Sequence, residues 1–379
     1  MEKTHKIAHL TTVHPPFDVR IFHKECKSIA RAGYRVTLVA CHNQDELKEG
    51  VRIRAIPKIR GRLSRMIRGA WSMYREAVRE DADLYHFHDP ELLPVGLLLR
   101  LRGKLVIYDV HEPLAADLVA KHYIPGIFRY PLAKIIGAFE SVSASFLSGV
   151  VVANAIRSQS FAVRDHHQAV VNNYPILQEF QSALLSTWDR RSNSVGYIGV
   201  LSKDRCLPEI IQAISLVPAE LQPTLKVAGA FSPPALQEEL EGTDGWERTS
   251  VMGVLDRAGV TGLLSNVRAG LVILKPTPAY LETIAVKLFE YMAAGIPVIA
   301  SDFPKYREIV GGAQCGLLVG SDDPAGVANA IKFILTHPQE AYKMGERGRD
   351  AVEKLYNWAG EEQKLLRLYQ VLLDSPCAA

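Results

Sequence analysis

The chain alternates short apolar runs with helix-period segments, and it does so twice. "KIAHLT" (6–11), "YRVTLVAC" (34–41), "VRIRAIP" (51–57), "DLYHFH" (83–88), "KLVIYDVH" (104–111) and "GVVVAN" (149–154) read as strands. Between the first two, Val19, Phe22, Cys26 and Ile29 mark one face of a helix over 17–32 that Gly33 ends. Strand, helix, strand in repetition implies right-handed crossovers and a parallel sheet. The pattern restarts with "VGYIGVL" (195–201), a helix near 207–216, "TLKVAGA" (224–230), "TSVMGV" (249–254), "AGLVILK" (269–275) and "VIASD" (298–302).

The expected fold is therefore α/β, with two doubly wound parallel-sheet domains in series. A chain of 379 residues suits two domains of roughly 150–200 residues. The first is placed at 1–185 and the second at 190–358, with the polar "STWDRRSNS" (186–194) as linker. "NWAGEEQKLLRLYQVLL" (357–373) is amphipathic, and a helix over 360–379 is expected to pack back on the first domain.

In such sheets ligands bind beyond the carboxyl ends of the strands. His14, Asp18, His88, His111 and Asn154 follow first-domain strands; Gly199 to Arg205, Glu282 and Glu290 do so in the second. No Walker A sequence and no GxGxxG follows any strand, which removes the main support for the usual dinucleotide and P-loop modes. "DAD" (81–83) matches a metal-binding string of some sugar transferases but precedes its strand, so a helix-to-strand turn is expected there and no metal.

"AVKLFEYMAAGIPVIASD" (285–302) carries charge where a helix packed only for stability would not. A helix starting near Ala285 and closed by Gly295 aims its free N–H groups at the mouth of the sheet, an anion site suited to a diphosphate. Glu290 on its second turn can accept two hydrogen bonds from a vicinal diol such as a ribose. Lys287 can equally pair with Glu290 at i,i+3. "YIGVLSKDRCLPEI" (197–210) adds Lys203 and Arg205 after Gly199, cations suited to a diphosphate or to ordinary loop solvation. His88 and His111 at neighbouring strand ends can bond a sugar hydroxyl or move a proton, or serve the core.

"HPPFDVRIFHKE" (14–25), "YDVHE" (108–112), "YIGVLSKDR" (197–205) and "KLFEYMAAGIPVIASDFP" (287–304) occur in order along the chain. With these motifs it resembles the family 4 glycosyltransferases of the bacterial polysaccharide-biosynthesis type. The resemblance implies the GT-B fold, two Rossmann-like domains facing across a cleft, and retaining transfer from a nucleoside diphosphate sugar without a metal or other cofactor. Glu282 and Glu290 have that family's E-x7-E spacing. By the same resemblance Glu290 binds the ribose and Glu282 faces the donor sugar. Thr283, Ile284, Ala285, Val286 and Lys287 form the phosphate loop, with Arg205, and Lys203 beside it, on the diphosphate. His111 touches the donor sugar near the reacting carbon, giving His111, Glu282 and Arg205 as catalytic residues. His14, Asp18 and His88 line the acceptor side. Thr283-Ile284-Ala285 replaces the usual Gly-Phe-Gly, Lys287 stands where proline is frequent, and Arg205-Cys206 replaces Arg-Gly.

The expected reaction moves a hexose to a saccharide or lipid-linked saccharide in exopolysaccharide, capsule or other envelope glycan synthesis. A nucleotide-sugar 2-epimerase of the same fold is the alternative enzyme. A bilobal solute-binding protein is a third reading, disfavoured because the N-terminus shows no secretory leader. Five scattered cysteines without CxxC fit a reducing cytosol. The longest uncharged run, 141–156, falls short of the ~20 residues that span a bilayer. A net charge of +3 gives no case for nucleic acid. The basic amphipathic segment 58–80 and the similar 122–140 fit either a crossover helix on the sheet or peripheral contact with an anionic membrane at the inner face of the plasma membrane.

Overall fold

The computed structural model describes residues 4–61, 64–111, 125–153 and 167–374. The chain forms two compact units, Met1–Asn173 with Trp358–Ala379, and Tyr174–Asn357.

The first unit is built on β1 (Lys6–Leu10), β2 (Arg35–Cys41), β3 (Glu46–Lys48), β4 (Val51–Ile56), β5 (Leu84–Phe87), β6 (Leu105–Val110), β7 (Gly149–Val152) and β8 (Gln168–Val170). Their order across the sheet is β3-β4-β2-β1-β5-β6-β7-β8, parallel except for β3. After β1 the chain winds outward to β2 and β4, then returns to β5 on the other side of β1. The connections thus diverge between β1 and β5, and that gap is where a doubly wound sheet places its ligand. The central strands are buried on both faces, with Leu10, Tyr85, Phe87, Tyr108 and Val110 in one apolar cluster. Helix Val19–Cys26 has π-type spacing, since the His23 N–H reaches back five residues to Asp18 O, and it runs on into Lys27–Arg31.

The second unit holds β9 (Ser194–Ile198), β10 (Thr224–Ala228), β11 (Thr249–Val251), β12 (Ala269–Val272), β13 (Val298–Ser301) and β14 (Gly316–Val319), in the order β11-β10-β9-β12-β13-β14. Here the divergence lies between β9 and β12. Alternate residues feed two cores: Val195, Leu225, Leu271 and Ile299 on one face, Ala228, Val272, Val298 and Ala300 on the other. Such dry, continuous strands are what helices on both faces of a parallel sheet require.

The division falls between Asn173 and Tyr174, ahead of the expected 185–190. The polar stretch 186–194 is not a linker, because Arg191 is buried and donates to the carbonyls of Ala183, Leu264 and Val267. Phe180 and Ala183 lie in the second unit's core. The helix Trp358–Asp374 returns to the first unit, burying Trp358, Leu365, Leu368, Tyr369 and Leu372. Asp81 and Asp83 serve the helix-to-strand turn, one bonded to Lys104 at 2.6 Å and the other to the Lys6 N–H at 2.8 Å. No helix among the described residues is long and apolar enough to cross a membrane.

Candidate active site

In the second unit the chain leaves β9 through Gly199, whose φ is +124°. A Cβ there would stand 3.1 Å from Arg205 Nη1, and a Cβ at Gly229 (φ +151°) would stand 1.9 Å from Gly199 O. The two glycines let the β9 and β10 ends close together and leave room for the Arg205 side chain. Arg205 ends the tight turn Lys203–Arg205 and is half-buried. Burial opposes its charge, yet the neighbouring Tyr197 and Tyr280 hydroxyls raise its pKa overall.

The helix Val286–Ala293 begins beside this turn. Ala285 occupies its N-cap position, so no side chain caps the first turn, and the helix start is open to an anion. Lys287 lies in that first turn, 6% exposed. Its Nζ has no hydrogen-bond partner and sits 3.4 Å from the centroid of the Tyr197 ring. Burial first, and then the nearby Arg205 charge, hold its pKa well below the usual lysine value. One turn on, Glu290 is 7% exposed and accepts a 2.7 Å bond from Arg257 Nη1. Arg257 is itself tied to Glu179 through Nε and Nη2 at 2.9 and 2.5 Å. The Glu290 carboxylate is therefore held from outside its own helix, and the i,i+3 pair with Lys287 is not made.

The other predicted residues take varied places. Lys203 is exposed and paired with Glu239, so its charge leaves the site for the surface. The Ala285 N–H donates to the Tyr306 hydroxyl at 3.1 Å, which removes it from the set offered to phosphate. Thr283 turns its hydroxyl back on Ala279 O at 2.8 Å. Ile284 and Val286 are half-buried and Glu282 is exposed at the end of the short helix Pro278–Glu282. Arg257 and Glu179 escaped sequence reading; the one available signal was that Arg257 opens a helix just after β11.

In the first unit a buried polar network lies along β1, β5 and β6. Arg20 grips Asp109 with two 3.0 Å bonds, Nε to Oδ2 and Nη2 to Oδ1, and gives Nη1 to Val171 O at 2.9 Å. Despite burial, Arg20 holds the Asp109 carboxyl well below the ordinary range. Burial, with Asp109 second, pushes the Glu25 carboxyl well above it. His88 Nδ1 lies 3.3 Å from both Asp109 Oδ2 and His111 Nε2, while His111 Nε2 lies 3.2 Å from Asp109 Oδ2. At 1% exposure His88 belongs to this interior and cannot line an acceptor surface. His111 and His14 are half-buried with ring centroids 4.9 Å apart. Asp18 spends Oδ1 as a helix cap, accepting from the Arg20 and Ile21 N–H groups at 2.8 and 3.0 Å. Its Oδ2 stands 3.8 Å from His14 Nδ1. Burial opposes the His14 charge, but Asp18 and Asp89 raise its pKa overall. Arg20, Glu25 and Asp109 were visible inside "DVRIFHKE" and "YDVHE", yet spacing alone did not show that they meet. Asn154 lies outside the described residues.

The sequence profile described as "Glycosyltransferase Family 4" matches residues 19–158, and that described as "Glycosyl transferases group 1" matches 186–351. The chain belongs to the family 4 glycosyltransferases. It is 24% identical over 310 residues to a phosphatidyl-myo-inositol mannosyltransferase of Mycobacterium leprae, covering 79% of this chain and 76% of that one. It is 25% identical over 297 residues to an alpha-maltose-1-phosphate synthase of Mycobacterium tuberculosis, covering 70% and 74%. Among solved structures, a sucrose-phosphate synthase from Thermosynechococcus elongatus superposes with TM-score 0.76 at 19% identity over 98% of this chain and 100% of that one. Anabaena HepE in complex with UDP and glucose superposes with TM-score 0.69 at 14% identity over 97% and 100%. The fold of this glycosyltransferase is GT-B.

Proposed function

We propose that the protein moves a hexose, with retention, from a nucleoside diphosphate sugar to a hydroxyl of a saccharide or lipid-linked saccharide in envelope glycan synthesis. The observation that carries this reading is the Lys287 amine, buried without a hydrogen-bond partner in the first turn of an uncapped helix. Burial makes the Lys287 amine costly to charge, and a diphosphate stabilises its charged form together with Arg205 and the helix N–H groups. Glu290 takes the ribose, and Glu282 faces the transferred sugar. Negative charge grows on the leaving diphosphate as the anomeric bond breaks, so preorganised cations act where the transition state needs them. The acceptor hydroxyl attacks from the face that the diphosphate leaves. His111 and His14 serve the sugar and the acceptor. The complexes of HepE with UDP-glucose make a UDP-sugar the first donor to test.

Binding should be linked to proton uptake. A diphosphate favours charged Lys287, so the lysine pKa in the complex lies above its depressed value in the free protein. Between those two values binding takes up a proton, and affinity falls as pH rises. Calorimetric titration with UDP, GDP and ADP in buffers of different ionisation enthalpy reads both the base preference and the proton. No binding of any of the three, or proton release, would sink the reading.

The membrane part rests on exposed apolar side chains of two other helices. Ile67 and Trp71 are 71% and 59% exposed, and Ile135 and Phe139 on the helix Gly126–Ser145 are 67% and 52% exposed. With Arg68 and Arg75 nearby in sequence, we propose peripheral contact with an anionic bilayer at its cytoplasmic side. The protein should pellet with anionic vesicles at low salt, and Trp71→Glu should weaken this about tenfold. A protein that stays in the supernatant at low salt contradicts the contact.

A further inference from the structure

Three histidines and a glutamate converge inside the first sheet, and the transfer reaction has no use for them. His9 on β1 faces His86 across the ladder to β5, and His88 follows β5 directly. Glu25 comes in from the helix Val19–Cys26. All four are buried, and each offers one ligand atom within 4.8 Å of the others'.

The outer nitrogen of every ring is already engaged. His88 Nδ1 faces Asp109 Oδ2 at 3.3 Å. His9 Nε2 and His86 Nδ1 share the Tyr369 hydroxyl at 3.2 and 2.7 Å. This is how metal-ligating imidazoles are oriented, with the far nitrogen held by a carboxylate or another polar group. The inner nitrogens, His9 Nδ1 and His88 Nε2, lie 2.9 Å apart, and each is 4.0 Å from Glu25 Oε2. A triangle with those sides has a centre about 2.1 Å from each corner, within the ~2.0–2.2 Å that Zn2+ takes to imidazole nitrogen and carboxylate oxygen.

A single hydrogen bond between His9 and His88 explains their approach but leaves the rest. Glu25 Oε2 and His86 Nε2 are buried without a hydrogen-bond partner. Glu25 Oε1 lies 3.0 Å from Arg20 Nε, but that N–H is directed at Asp109. Each such orphan costs about 1–3 kcal/mol. One divalent ion would satisfy Glu25 Oε2 and His86 Nε2 together, with Glu25 and Asp109 offsetting part of the positive charge of the ion and Arg20.

We propose that His9, His86, His88 and Glu25 form a buried binding site for a zinc-class divalent transition metal ion. Three imidazoles and one carboxylate suit Zn2+, Co2+ or Ni2+ rather than Mg2+ or Ca2+, which prefer all-oxygen shells. The ion would be structural, fastening β1, β5 and the helix at 19–26, and Tyr369 would fasten the last helix to the same point.

The test is metal content of the untagged full-length chain, purified without chelator from zinc-supplemented cells, followed by Co2+ substitution. Expected are about one equivalent of zinc per chain and the intense visible bands of four-coordinate Co2+ in the exchanged protein. His86→Ala and Glu25→Gln should lose most of the metal, and zinc should raise the melting temperature of the stripped wild type but not of the variants. If a variant fails to fold, the metal content and Co2+ spectrum of the wild type decide. Wild-type protein that purifies metal-free, gives no Co2+ bands and melts unchanged with Zn2+ overturns the proposal. Donor binding in the second unit is read separately, so either idea can fail without the other.

Discussion

Replacing Glu290 by alanine is expected to raise the KM for the donor about 100-fold with little change in kcat. The carboxylate is paired with Arg257 Nη1 at 2.7 Å, and its bonds to a ribose diol are charge-assisted. Two of them are together worth about 3 kcal/mol net, or roughly two decades of affinity. The ribose does not change during transfer, and uniform binding of that kind appears in KM rather than kcat. The fold should survive because Arg257 keeps Glu179 as a partner at 2.5 Å. Initial-rate kinetics on protein with an unaltered melting profile makes the measurement. A donor KM equal to wild type would refute the ribose assignment.

Arg20→Met should act on stability instead. The guanidinium is buried, bonded twice to Asp109 and once to Val171 O. Methionine fills similar space but leaves the buried Asp109 carboxylate without its guanidinium partner, with only His88 and His111 beside it. Breaking a buried pair in this way costs about 3–5 kcal/mol, on the order of 10 °C in melting temperature for a unit of this size. The double variant Arg20→Met, Asp109→Leu should recover part of the loss, because a neutral apolar pair carries no orphan charge. Thermal melts of the two variants decide it: a single variant as stable as wild type would show that the pair contributes nothing.

Much of the fold was legible in the sequence. The expected strands at 34–41 and 104–111 became β2 and β6 within a residue at each end, since the largely buried strands of a parallel sheet carry near-continuous apolar runs. The helix at 207–216 runs Leu207–Leu216. Short or half-polar strands were missed. β3 reads Glu-Leu-Lys and β8 reads Gln-Ala-Val, neither with an apolar face to detect, and β14 is only half-buried along its length. The boundary went wrong at Arg191, because a polar residue that is buried against carbonyls looks the same in sequence as one in a linker.

The site divides in the same manner. Glu290, Lys287 and Arg205 could be found from their places after strands and at a helix start, which are local facts. What fixes them is not local: Arg257 meets Glu290 across 33 residues, and His88 meets His9 across 79. Periodicity carries no information at that range. Hence His88 passed for a surface ligand, and Lys287 for half of an ordinary helix ion pair.

The return of the last helix to the first unit has a consequence for how the protein is made. Trp358 bonds Ser28 at 2.9 Å, Glu361 accepts from the Asn172 N–H at 2.8 Å, and Tyr369 closes on His9 and His86. A ribosome that has delivered residues 1–173 has therefore delivered a sheet with part of one face bare and two buried histidines lacking their hydroxyl. The whole second unit must be synthesised before that cover arrives. The first half of the polypeptide emerges first and is completed last, so during translation it is the portion for which chaperone shelter matters most.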